Sequence, residues 1–143
     1  MSEQGPNDVA EVLAANESFY EALCGLDLDE MELVWWHGGE VRCIHPGWDV
    51  VVGWRAIRDS WQAIFASSPG LSVVPDEVEI SMHDGLAWVQ CLERISNSAD
   101  DDEGKSFARA TNLFVKKGDA WLLILHHASP VPAPQDSEHK AVH

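Results

Sequence analysis

LSVVPDEVEISMHDGLAWVQCLERIS, residues 71–96, decides the fold. Two alternating apolar and polar runs flank His83-Asp84-Gly85. An Asp-Gly pair between such runs marks a hairpin, because the tight turn asks for backbone conformations that Asp and Gly tolerate. In the first run Val74, Val78, Ile80 and Met82 stand against Glu77, Glu79 and Ser81. The second run, Leu86 to Ser96, reads as the returning strand. Downstream, Asn97 to Gly104 is an acidic polar loop, Lys105 to Lys117 a third long strand, Lys117-Gly118-Asp119 a turn, and Ala120 to Ala128 the last strand. From Pro130 the chain is rich in Pro and Ala and then polar, which predicts a flexible tail.

Upstream of the hairpin the period changes. Val9, Val12, Leu13, Phe19, Tyr20 and Leu23 recur at helical spacing behind a cap at Asn7 or Asp8, with the polar Asn16 on the same stripe. Asp27, with Glu30 three residues on, opens a second helix that His37-Gly38-Gly39 stops. Val41–His45 and Val50–Val52 are short strands separated by Pro46-Gly47. Ile57, Trp61, Ile64 and Phe65 form the stripe of a third helix that begins at Trp54. The order α-α-β-β-α-β-β-β-β predicts an α+β fold: one strongly bent antiparallel sheet with three helices on its concave side, enclosing a pocket. Residues 7–130 form one domain in this reading, and 1–6 and 131–143 are flexible termini.

Composition narrows the partners. The 143 residues carry a formal charge of −15, which repels phosphate backbones and anionic lipid, so neither nucleic acid nor a membrane is expected as partner. Cys24, Cys43 and Cys91 are odd in number and far apart, which favours reduced thiols and a cytoplasmic location. No basic, then apolar, leader is visible at the N-terminus. Seven tryptophans supply rigid apolar area for a core, a pocket wall or an interface.

The motifs Cys43-Ile44-His45-Pro46-Gly47-Trp48, Gly53-Trp54-Arg55-Ala56-Ile57, Ser60-Trp61, Ala110-Thr111-Asn112-Leu113-Phe114 and His126-His127-Ala128-Ser129, together with the element order, resemble the SnoaL-like branch of the nuclear-transport-factor-2-like (NTF2-like) superfamily. The resemblance implies the cone-shaped, cystatin-like fold. It spans roughly residues 8–130. The superfamily holds steroid isomerase, dehydratases, polyketide cyclases and the association domain of calmodulin-dependent kinase, so fold and activity are separate questions. By that resemblance His45 takes the place of the isomerase's base aspartate and Asn112 that of its oxyanion-hole acid. Phe19, or Tyr20 one residue on, takes the place of its tyrosine. With both acids replaced, steroid isomerisation is not expected.

His45 is then the candidate acid/base, an imidazole in a partly apolar pocket titrating near neutrality. The alternative is a buried ring bonded to backbone. Asn112 is the candidate donor to a ligand carbonyl or oxyanion, or else a structural amide between strands. Trp48 and Trp61 form a candidate aromatic wall or belong to the core. Tyr20, Phe114 and His127 complete the candidate ligand-binding set. His126 and His127 point to opposite faces of one strand, and which of them meets the pocket is open. Arg109 is expected to face away from Asn112 and to pair with Glu93. Adjacent strand histidines do not chelate one ion readily, and no HExxH, CxxC or glycine-rich phosphate loop occurs, so no metal and no cofactor are expected. Three functions stay in play: a cofactor-free lyase, isomerase or cyclase acting on a small hydrophobic or carbonyl-containing ligand; a non-catalytic ligand-binding or sensing domain; and an oligomerisation module. A homodimer is expected in each.

Overall fold

The computed structural model describes residues 6–97 and 105–134. Helices α1 (Pro6–Cys24) and α2 (Leu28–Val34) are followed by strands β1 (Arg42–Ile44) and β2 (Val51–Val52) and by helix α3 (Trp54–Ser67). Four long strands come next, β3 (Leu71–His83), β4 (Leu86–Asn97), β5 (Ser106–Lys117) and β6 (Ala120–Val131). One six-stranded sheet results, in the order β2-β1-β6-β5-β4-β3. All neighbours are antiparallel except β1 and β6, which run parallel. The curled, unclosed sheet and its three helices make the α+β cone that the sequence predicts.

Local chemistry sets the helix boundaries. Asp27 caps α2, its Oδ1 accepting from Glu30 N at 3.1 Å. Gly53 opens α3 at φ +90°, a conformation that costs a residue with Cβ and not glycine. The inner face buries Val12, Phe19 and Leu23 of α1, Ile57, Trp61 and Phe65 of α3, and Val89, Cys91, Ala108, Ala110, Phe114 and Leu123 of the sheet.

Two bulges reset the strand faces. The β3–β4 register shifts between Asp76 and Glu79, and Glu77 sits there at φ +54°. The simple alternation expected of residues 74–82 therefore fails: Val73 points inward and is buried, while Val74 and Val78 are exposed. A second shift lies between Leu113 and Phe114 where β5 meets β6. The last strand runs past the expected end at Ala128: Pro130 and Val131 pair with Ala108 and Phe107. The expected flexible termini lie largely outside the described residues.

Candidate functional site

A cavity of about 280 Å³ opens at one end of the cone, bounded by α1, α3, β3, β4, β5, β6 and the segment after β1. Its buried wall carries His45, Trp61, Glu93 and His126. Pro46, Trp48 and Ser106, all exposed, frame the opening. A larger groove of about 500 Å³ lies outside, between α1 and the β3 bulge. Its one ionisable residue is the exposed Glu17, so acid–base chemistry points to the smaller cavity.

His45 follows β1 and is 2% exposed. The turn after it is closed by Trp48 N donating to His45 O at 2.9 Å. Gly47 at φ +83° supplies the left-handed residue that such a turn requires. The turn sets the Trp48 ring edge-on to the imidazole at 4.6 Å, and Trp61 meets it at 4.5 Å and 89°. His45 Nε2 lies 2.8 Å from Ser60 Oγ. Ser60 spends its one hydrogen on Ile57 O, at 2.7 Å. With the Ser60 hydrogen on Ile57 O, the hydrogen-bond network assigns the imidazole hydrogen to His45 Nε2 and leaves Nδ1 its lone pair. The Cys43 thiol stands 3.7 Å from Nε2 and 3.9 Å from Nδ1, long contacts in which a thiol is a weak donor. Burial lowers the imidazole pKa to about 4. The expectation of titration near neutrality is thus corrected: desolvation outweighs any partner, and the ring is neutral at pH 7.

Asn112 does not line the cavity. Its Nδ2 donates to Asn16 Oδ1 at 2.8 Å and to Tyr20 Oη at 3.1 Å, and its Oδ1 accepts from His126 Nδ1 at 2.6 Å. Both amide hydrogens are spent, so the carbonyl-polarising role is not available to it. The structural amide is what the fold contains, and it ties α1, β5 and β6 together. Tyr20 also lies in this layer behind the cavity wall. Its hydroxyl donates to Glu93 Oε2 at 2.7 Å and lies 3.3 Å from Cys91 Sγ. Phe19, its neighbour on α1, packs among Tyr20, Trp35 and Trp61. Phe114 is fully buried in the core and does not line the cavity.

Of the two adjacent histidines it is His126 that lines the cavity, and it is 2% exposed. His127 pairs with Thr111 on the outward face and is exposed, which removes it from the candidate set. Because Asn112 Oδ1 can only accept, His126 Nδ1 holds the hydrogen and Nε2 is a lone pair. Burial, with His45 and His127 nearby, lowers the His126 pKa to about 3.

Glu93 is the residue that sequence reasoning missed. The β4–β5 register places Arg109 opposite Leu92 and Glu93 opposite Ala108, so Arg109 and Glu93 point to opposite faces. Arg109 instead pairs with Glu77 at 3.0 Å, both half exposed. The Glu93 carboxyl is buried in the cavity wall, with Tyr20 as its hydrogen-bond donor and His126 Nε2 3.9 Å from Oε2. Burial raises its pKa to about 7, against a downward pull from the Tyr20 hydroxyl. It is thus Glu93, not His45, that changes charge near neutral pH. The signal lay in alternation: Val89, Cys91 and Glu93 share one face of β4.

The described residues contain no cluster of three or more metal-ligating side chains, and none of their helices is long and apolar enough to cross a membrane. A cone-shaped α+β domain of three helices on one curled sheet is the architecture of the NTF2-like class. The SnoaL-like domain family matches residues 12–134, and the chain belongs to it. A candidate dehydratase of the NTF2-like family from Streptomyces avermitilis superposes with a TM-score of 0.80 at 32% identity, covering 90% of this chain and 100% of that one. A candidate calcium/calmodulin-dependent protein kinase type II association domain from Thiobacillus denitrificans superposes with a TM-score of 0.72 at 29% identity, over 82% of this chain and 93% of that one. The F-box protein SKIP8 of Arabidopsis thaliana is 24% identical over 118 residues, which are 82% of this chain and 48% of that protein. The chain thus spans about half the length of this curated relative.

Proposed function

We propose that this domain binds a small, mainly apolar molecule in the 280 Å³ cavity and that His45 accepts a proton from it, in an isomerisation, dehydration or cyclisation carried by side chains alone. The observation that carries this reading is an imidazole buried against Trp48 and Trp61 whose Nδ1 lone pair is claimed by no strong donor. Such a base is neutral and ready at pH 7, yet weak. It suits a ligand hydrogen that is already acidic, on an enol, a phenol or a carbon beside a carbonyl. The similarity to a candidate dehydratase along that protein's whole length supports the same class of chemistry.

A second reading, ligand retention without turnover, is favoured by one observation: Asn112, the expected oxyanion donor, has no hydrogen to give. A fragment screen read by NMR on the histidine ring nitrogens tests the shared part. Hits should shift His45 and His126 ring signals; hits that shift only α1 and β3 resonances would place binding in the outer groove and defeat both readings. Solvent deuterium entering a bound ligand's carbon, at a rate lost in His45→Phe, would separate turnover from retention.

A second copy of the chain is the macromolecular partner we propose. Trp88, Leu113 and Leu125 stand in one cross-strand row on the outward face of the sheet, each only half buried, and such a row gains by being covered.

A further inference from the structure

We infer that the buried end of the cavity recognises a hydrogen-bond donor, so that the ligand is a hydroxylated ring, a phenol or an enol, rather than a bare ketone. This inference rests on the small-molecule reading above and names the ligand's chemistry.

Three deeply buried polar side chains line the cavity: His45, Glu93 and His126. Each neutral imidazole has one N–H, and both are spent inside the protein, His45 Nε2–H on Ser60 Oγ at 2.8 Å and His126 Nδ1–H on Asn112 Oδ1 at 2.6 Å. The Tyr20 hydroxyl, which stands behind Glu93, spends its hydrogen on Oε2 at 2.7 Å. Left over are His45 Nδ1, His126 Nε2 and Glu93 Oε1. The two nitrogens are lone pairs. Glu93 Oε1 has no hydrogen-bond partner among the described residues. Trp61 lines the same wall, but its Nε1–H is sealed within the packing, away from the open volume. The groups that both donate and accept, Ser68 and Ser106, belong to the half-buried and exposed parts of the lining.

A ligand hydroxyl reaching this end finds two imidazole lone pairs and, once Glu93 is ionised, a carboxylate oxygen. A ketone oxygen there would face lone pairs and lose its water hydrogen bonds without replacement. Sites that hold acceptors for an O–H discriminate strongly against analogues that lack it. The aromatic faces of Trp48 and Trp61 supply the walls for the ring itself.

Glu93 gives the inference an independent readout. Protonated, it would offer a donor; ionised, an acceptor. The titratable groups around it are Tyr20 on α1, Cys43 on β1, Cys91 on its own strand and His126 on β6, with His45 across the cavity. None of these changes charge between pH 6 and 8, because burial holds the Tyr20 and Cys43 pKa values well above that range, the Cys91 pKa at about 11, and those of His45 and His126 at about 4 and 3. A hydroxyl ligand favours the carboxylate and binds more tightly as pH rises; a ketone favours the carboxylic acid and binds more weakly.

The test compares 1-naphthol, its methyl ether 1-methoxynaphthalene and the ketone 1-tetralone by calorimetry on the intact chain, with the His45 and His126 ring signals reporting location. We expect naphthol to bind at least about tenfold more tightly than either analogue. Its affinity should rise about tenfold between pH 6 and 8, and that rise should vanish in Glu93→Gln. If tetralone matches or exceeds naphthol, or if naphthol binds without moving the two ring signals, the donor inference is overturned while a small-molecule cavity survives. If none of the three binds at millimolar concentration, the cavity reading itself falls. Should Glu93→Gln fail to fold, the wild-type comparison and its pH dependence still decide.

Discussion

Ser60 Oγ lies 2.8 Å from His45 Nε2 while giving its own hydrogen to Ile57 O, so a serine on α3 determines which nitrogen of the imidazole after β1 is the base. Ser60→Ala removes that acceptor and leaves a buried N–H unpaired. We expect a loss of about 1–3 kcal/mol in unfolding free energy and a mixed tautomer in the ¹⁵N spectrum of the His45 ring. An unchanged tautomer in a folded variant would show that Ser60 does not set it.

Glu93 should make stability fall as pH rises. Its folded pKa, about 7, lies above the ordinary 4.5, so between those values the folded state holds more protons than the unfolded chain, and raising pH favours unfolding. His45 and His126 act with the opposite sign: their depressed pKa values mean stability is lost as pH falls below about 6.5. Urea melts of wild type and Glu93→Gln cancel the histidine contribution. The wild type should lose ground to the variant by on the order of 3 kcal/mol from pH 4.5 to pH 8. A constant difference would mean that the folded-state pKa of Glu93 is not raised.

Asn112 and His127 make a contrasting pair. Asn112→Ala breaks three buried hydrogen bonds and strands Asn16 and His126, which should cost about 2–5 kcal/mol with an unchanged urea m-value. His127→Ala, on the exposed face, should stay within about 0.5 kcal/mol of wild type and leave ligand binding intact. Equal effects from the two would contradict the strand faces described above.

Association through the outward row is tested by Trp88→Glu. Light scattering at micromolar concentration should give a dimer for the wild-type chain and a monomer for the variant, with the His45 ring shifts unchanged. A monomeric wild type would remove the second copy as a partner.

Much of the fold was legible because it depends on short-range patterns. The Asp84-Gly85 hairpin, the Asp27 cap, the helical stripe through Ile57, Trp61 and Phe65, and the change from period 3.6 to period 2 after Gly70 are each written within a dozen residues. The site was legible in part: His45, Trp48 and Trp61 come together around the cavity, as their motifs suggested. Which of two adjacent strand residues faces inward depends on inter-strand register, and a one-residue change of register reverses every side chain. Sequence alternation could therefore separate His126 from His127 but not choose between them, and it set Glu93 against Arg109 when their strands place them back to back. Protonation is less local still. The sequence by itself determined the elements, their order and an imidazole beside two indoles. Only the tertiary structure decided that Asn112 has no hydrogen to spare, that His45 is held neutral and that a carboxyl titrates near pH 7, because burial and hydrogen-bond partners are properties of chain segments brought together from far apart in the sequence.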